Sequence, residues 1–350
     1  MTASNPFTLS FGRKPLQYIT RIVQTNEIIE SFEADIPSSP VYMITGVRGS
    51  GKTVLMSAIA NELREKDNWI VVDLNSERKI LDSAVAKLYD NQKVQHLFLN
   101  ARINLSMFGI GASVTSEKPI VDIESALERM LKEIEKQHKK VLITIDEVEN
   151  NASIREFVSS FQIMQRQNLP IYLIMTGLYD NIYNLQNENK LTFLYRAPKI
   201  TLEPLNLTAI SKSYSTTFHI PYADAQQLAI LTKGYPFAYQ VLGYLLWEAS
   251  KSSVDDTILE QYDQYLSEFV YEKIVSEIAG NDRKFLLGVA TKDTIKTAEL
   301  LEITGFKKNE YTVYRERLKR KGLINVDKRG YISMKLPRFS EYLLQMEMMA

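Results

Sequence analysis

Eight residues restrict this chain more than any other stretch of it. GVRGSGKT, from Gly46 to Thr53, follows the apolar run VYMIT (Val41 to Thr45) and opens a segment from Lys52 to about Lys66 with Leu55, Ile59 and Leu63 at helical spacing. Strand, glycine loop and helix follow in that order, and the loop matches G-x-x-x-x-G-K-[ST]. Gly46, Gly49 and Gly51 let the main chain wrap closely, so that amides along Val47, Arg48, Ser50 and Val54 face phosphate oxygens. The helix N-terminus adds partial positive charge. Lys52 is placed to reach β and γ phosphates, and the Thr53 hydroxyl to ligate Mg2+. The bland alternative is a tight glycine turn capping an ordinary helix beside a surface lysine. Chance alone puts the pattern in about one chain in a hundred of this length, and the strand and helix around it lower that further.

At 350 residues the chain holds two or three domains at roughly 150 residues each. Its 45% apolar and 24% charged residues are those of a globular protein. The absence of Cys removes disulfides, thiolate nucleophiles and cysteine zinc sites, and His96, His138 and His219 have no metal-ligand spacing. No apolar run approaches the roughly 18 residues that cross a bilayer, and MTASNPFTLSFGRK lacks a signal peptide's apolar core, so a cytoplasmic protein without membrane contact is expected. Lys plus Arg number 42 and Asp plus Glu 42, which excludes a uniformly basic nucleic-acid coat. The balance is uneven along the chain. Thr201 to Asn281 carries 4 cations against 10 acids, net −6, and Asp282 to Gly330 carries 13 against 7, net +6. Separate modules meeting different partners are expected.

Continuous apolar runs alternate with helical patterns through the first 200 residues, including NWIVVDLN, VLITIDEV and IYLIMTGL, with a last strand KITLEPL from Lys199. Strands without a solvent side require a parallel sheet covered on both faces. The predicted fold is therefore α/β: residues 1–36 form a leader, 37–205 the phosphate-binding core, 206–281 a helical lid and 282–350 a winged helix-turn-helix. A helix is predicted over 77–95, and a hairpin over 97–114, where LFLNARINLSMFGIGASV alternates. Gly234-Tyr235-Pro236 is the one sharp interruption in the lid.

Two further strand ends carry chemistry. VLITIDEVEN ends in Asp146-Glu147, where side chains clear the sheet. Asp146 is suited to hold Mg2+, and Glu147, one residue on and facing the other way, to polarise an attacking water as general base. Helix capping by both acids is the alternative. IYLIMTGL ends in Thr176, whose hydroxyl is placed to bond a γ-phosphate or the lytic water, or else to satisfy a backbone group.

The order of Gly46–Thr53, Asp146-Glu147 and Thr176 resembles the AAA+ and STAND branch of P-loop ATPases, over most of the chain. It looks most like archaeal-type ATPases of the STAND class, which share architecture with archaeal origin-recognition initiators. NPFTLSFGRKP, Arg196 ahead of KITLEPL, and GYPFAYQ carry that likeness. The resemblance implies ATP and Mg2+ as ligands, Arg196 as an arginine finger or sensor, and Pro236 as the lid residue that packs against nucleotide. It also implies adenine contacts from Phe7 and the Ile19 to Arg21 region. Independently of the family, an Arg before a strand at the sheet's active edge neutralises γ-phosphate charge, or serves as a surface ion-pair partner. Initiators carry a lid-helix Arg, and Gly234 to Gly243 has none.

Three helical segments (Arg283 to Ala290, Thr297 to Thr304, Asn309 to Lys321) precede INVDKRGYISM, read as a two-stranded wing. The third carries Tyr311, Tyr314, Arg315, Arg317, Lys319, Arg320 and Lys321, with Lys307-Lys308 before it and Lys328-Arg329 at the wing tip. This surface suits double-stranded DNA; solvated charges at a helix C-terminus, or docking of a partner protein, are the alternatives. Two functions follow: an ATP-hydrolysing switch whose nucleotide state controls the winged helix, or an ATP-loaded DNA-binding module with negligible turnover. A metabolic kinase is disfavoured, since no acceptor pocket is legible. Arg196 acting in trans requires a homo-oligomer.

Overall fold

Five apolar runs assemble into one parallel sheet. The computed structural model describes residues 4–9, 15–103, 105, 108, 110, 122–188 and 191–349. β1 (Val41–Thr45), β2 (Trp69–Asn75), β3 (Lys140–Asp146), β4 (Ile171–Gly177) and β5 (Lys199–Thr201) lie in the order β2-β3-β4-β1-β5. Every pairing is parallel. Around the sheet lie α1 (Ile22–Glu33), α2 (Lys52–Arg64), α3 (Ile80–Tyr89), α4 (Gln95–Asn100), α5 (Ile123–Glu135), α6 (Ala152–Arg166) and α7 (Tyr179–Gln186). All residues of β1 and β4 are buried, as a sheet covered on both faces demands. Asp122 and Asn151 start α5 and α6 by accepting from the amides of Ser125 and Ile154.

The chain divides into two compact units. This sheet unit contains Arg21–Thr45 and Lys52–Thr201; the second contains Met1–Thr20, Gly46–Gly51 and Leu202–Ala350. The expected leader is thus divided, with α1 in the sheet unit and the residues before it in the other.

The second unit is helical: α8 (Leu207–Phe218), α9 (Tyr222–Leu231), α10 (Pro236–Glu248), α11 (Asp256–Leu266), a π-helical turn at Ser267–Tyr271, α12 (Glu272–Ser276) and α13 (Gly280–Ala290). Then come β6 (Ile295–Lys296), α14 (Thr297–Thr304), α15 (Lys308–Arg320), β7 (Ile324–Asn325), β8 (Tyr331–Met334) and α16 (Phe339–Met349). β7 and β8 are the two arms expected of INVDKRGYISM; β6 makes the sheet three-stranded, in the order β6-β8-β7, both pairings antiparallel. Neither β6 nor α16 is legible as such in the sequence. One hydrophobic cluster runs from Phe7 and Tyr214 through Leu246 and Tyr262 to Leu300, Phe339 and Leu343, so the expected boundary at 282 falls inside a single unit.

Two expectations need correction. Residues 97–100 lie in α4, not in a strand; Val94 and Phe98, four apart, are both fully buried, a helical spacing that the alternation of LFLN concealed. Most of the far arm of that hairpin lies outside the described residues. The helix predicted over 77–95 is α3 alone, ended by the turn around Asn91.

Candidate phosphate and metal site

β3 and β4 pair with Ile145 opposite Met175, so Asp146 and Thr176 leave the sheet side by side at its carboxyl edge. Thr176 donates its hydroxyl to Asp146 Oδ1. From the first turn of α2, Thr53 donates to Asp146 Oδ2 at 2.7 Å. One carboxylate therefore gathers two hydroxyls, each on a different element. Hard oxygen donors at this spacing fit Mg2+, the cation that pairs with phosphates through one or two protein ligands. Thr176 is fully buried, and the Glu147 amide donates to its oxygen at 3.2 Å and to Asp146 Oδ1 at 3.1 Å.

Glu147 is exposed, and its backbone is left-handed at φ 50°. Strand alternation therefore does not set its direction, contrary to expectation: the residue lies past the end of β3, held by the Asp146 carboxylate and by the Val148 amide, which donates to Thr176 O at 2.8 Å. A non-glycine residue kept in this region is held by its surroundings, and such positions cluster at functional sites. Thr176 likewise directs its proton at Asp146 rather than presenting it to solvent.

Lys52 is 8% exposed at the start of α2, with Thr53 and Val54 half-buried beside it. The glycine loop itself packs within the helical unit. Gly49 and Gly51 are left-handed, at φ 71° and 87°, with Ser50 between them, and the Ser50 amide donates to Val47 O at 3.2 Å. Alternation of this kind turns successive amides into an anion-binding concavity. Gly46 has no room for a side chain, since a Cβ there would meet Ser50 Oγ at 2.5 Å. Around the loop, the Tyr235 hydroxyl donates to Arg48 O, the Phe237 amide donates to Gly49 O at 3.2 Å, and the Arg48 guanidinium pairs with Glu277 at 2.6 Å. Pro236, between those two residues, is the first residue of α10, a position where its missing amide proton costs nothing. Burial pushes the Tyr235 hydroxyl well above its ordinary range, so it stays a donor.

Phe7 does not face a ligand. It is 2% exposed, ringed by Tyr214, Phe218 and Tyr239, and lies against Gly243, which corrects the expected adenine contact; Ile19 packs on the same cluster. Arg196 ends the 3-10 turn Thr192–Arg196 ahead of β5, with its side chain exposed.

On the C-terminal segment the structure separates packing cations from presented ones. Tyr311 stacks on Phe285 and shares a hydrogen bond with Thr297 Oγ1 at 2.9 Å, contacts that hold its half-buried ring in packing. Arg317 pairs with the buried Asp282 at 2.6 Å beneath the Tyr314 ring, and Arg315 pairs with Glu316. Lys307, Lys308, Lys319, Lys328 and Arg329 remain exposed, with the Lys328 ammonium 4.2 Å from the Tyr331 ring. Tyr235, Phe237 and Glu277 were not singled out from the sequence as partners of the loop. The Gly-Tyr-Pro break pointed at the first two; nothing in the spacing pointed at Glu277.

Residues 24–169 match a family described as an ATPase domain predominantly from Archaea, and residues 268–343 match a domain family of unknown function. A search of curated proteins gives no match. Among solved structures, the Walker-type ATPase PABY2304 of Pyrococcus abyssi superposes with a TM-score of 0.62 at 15% identity, over 93% of this chain and 95% of that one. The ORC2 protein of Aeropyrum pernix, in its ADPNP-ADP complexes, superposes with a TM-score of 0.54 at 11% identity, over 94% and 93%. At these identities the likeness concerns the fold alone, and the matched family model makes residues 24–169 an ATPase domain.

Proposed function

We propose that this P-loop ATPase is an Mg2+-dependent switch, in which ATP bound at Gly46–Thr53 and its hydrolysis control a DNA-binding winged helix at the C-terminus. The observation that carries it is the bond of Thr53 to Asp146 at 2.7 Å: the loop's hydroxyl and the strand-end carboxylate meet where a metal-bound triphosphate needs both. Mg2+ held by Thr53 and Asp146 would neutralise charge on the phosphate oxygens. Lys52 adds a cation to the β and γ phosphates, and Thr176 fixes the orientation of the Asp146 carboxylate. Glu147 takes the proton of a water whose oxygen bonds to the γ-phosphorus while the bond to the bridging oxygen breaks. Arg196 answers the charge on the departing phosphate.

The exposed Lys307, Lys308, Lys319, Lys328 and Arg329 support duplex DNA as partner. The absence of Cys agrees with a reducing, cytoplasmic setting; among the described residues, no helix is long and apolar enough to cross a membrane. Phosphate release by wild type and Glu147→Gln, with and without duplex DNA, tests the reading. A loss of about a hundredfold or more in the variant is expected for removal of a general base. Equal rates exclude Glu147 as base, and negligible release by wild type as well makes the protein an ATP-loaded DNA-binding module.

A further inference from the structure

We infer that Tyr235 is a positioning residue for phosphate recognition, because its hydroxyl fixes the loop peptide whose Gly49 amide must face the anion, while the Phe237 amide fixes the peptide that follows. The inference rests on nucleotide binding at the glycine loop. In a trans peptide the carbonyl and the amide proton point in opposite directions. Tyr235 holds the carbonyl of the Arg48–Gly49 peptide, and Phe237 holds that of the Gly49–Ser50 peptide. Both carbonyls are thereby turned toward the lid helix α10, and the amides of Gly49 and Ser50 are turned away from it. The Ser50 amide is spent within the loop on Val47 O at 3.2 Å, so the amide that this arrangement turns toward an anion is that of Gly49.

The fit is tight. Tyr235 is 4% exposed, and a Cβ on Gly49 would lie 2.2 Å from its hydroxyl and 2.9 Å from Phe237 Cβ. Outside the same turn, Arg48 is tied to Glu277, whose carboxylate also faces Lys273 at 3.6 Å. The loop's shape is therefore set by three lid and post-lid groups as well as by its glycines. A phenylalanine would pack as tyrosine does but would leave the first peptide free to turn over.

The test compares Mg-ATP, Mg-ADP and adenosine binding to the full chain by calorimetry, in wild type, Lys52→Ala, Tyr235→Phe and Glu277→Gln. Tyr235→Phe is expected to weaken ATP and ADP about tenfold, the effect of removing one hydrogen bond, and to leave adenosine unchanged. Glu277→Gln, at a partly exposed position that tolerates the change, is expected to weaken the phosphate-bearing ligands about threefold. A general structural role weakens adenosine equally, and that result overturns the inference. Unchanged ATP affinity in both variants also overturns it while leaving nucleotide binding intact. No binding by wild type, or undiminished binding by Lys52→Ala, overturns the reading of the loop and this inference with it.

Discussion

Asp146 is the residue on which the strand-end chemistry converges. Its two oxygens accept from Thr176 and Thr53, and its neighbour's amide completes the arrangement, so no one of these groups is oriented alone. Thr176→Val keeps the volume and removes the donor to Oδ1. Turnover is expected to fall about tenfold with ATP affinity little changed, read as kcat against KM in a phosphate-release assay. Gly49 poses the opposite problem, too little space rather than a missing bond. Alanine there takes on a left-handed cost of roughly 1–2 kcal/mol and meets Tyr235. Gly49→Ala should lower the denaturation midpoint and abolish nucleotide binding together. At this scale the motifs were readable because the glycine loop, Asp146 and Thr176 are each fixed by local chain geometry. Tyr235 and Glu277 act through contacts nearly 190 residues or more along the chain from Arg48, and no local spacing reports such partners.

Strand elements were legible for the same local reason. β1 coincides with VYMIT, and the five runs of the core all lie in the parallel sheet, since only buried strands lack a polar side. What failed was the amphipathic remainder. α4 reads as a strand because its six residues are too few to show a helical period, and β6 is two residues long. In the N-terminal segment Phe7, expected as a ligand contact, is a core residue. Asn5 donates to Tyr244 O at 3.2 Å, the Thr8 amide donates to Gln240 Oε1 at 3.1 Å, and the Phe7 ring fills the notch left by Gly243, where a Cβ would come within 2.5 Å of it. The notch makes the element testable from both sides. Phe7→Ala should destabilise the helical unit by roughly 3–5 kcal/mol through the cavity it leaves, and Gly243→Ala by roughly 1–3 kcal/mol through overpacking. Urea unfolding followed by near-ultraviolet circular dichroism, which reports the packed tyrosines around Phe7, reads both. If neither moves the midpoint, the segment is not anchored by this ring.

For the whole molecule, net charge says little, because zero overall hides a −6 segment followed by a +6 one that pack into a single hydrophobic unit. Some of the cations are neutralised by ion pairs within the unit, as Arg317 is by Asp282 and Arg338 by Asp263. Only the cations left exposed are available to a polyanion. Replacing Lys319 and Lys328 by alanine should reduce the slope of log affinity for duplex DNA against log salt by about 1 for each phosphate that the removed ammonium had neutralised. An unchanged slope assigns those charges to solvent.

Arg196 raises the question of assembly. It is exposed at the end of a short turn, and its sequence position leaves open whether it serves its own subunit's phosphate or a neighbour's. Two variants separate these cases. Glu147→Gln lacks the base but keeps the arginine, and Arg196→Ala keeps the base but lacks the arginine, so each alone is expected to be nearly inactive. If Arg196 acts in trans, an equimolar mixture contains sites built from an intact Glu147 and a donated Arg196. The mixture then recovers up to about a quarter of wild-type turnover, because under random pairing that fraction of sites holds both groups. Recovery should rise with protein concentration, as association requires. If Arg196 acts in cis, no mixing restores activity at any concentration, and Arg196→Ala alone shows turnover that is low and independent of concentration.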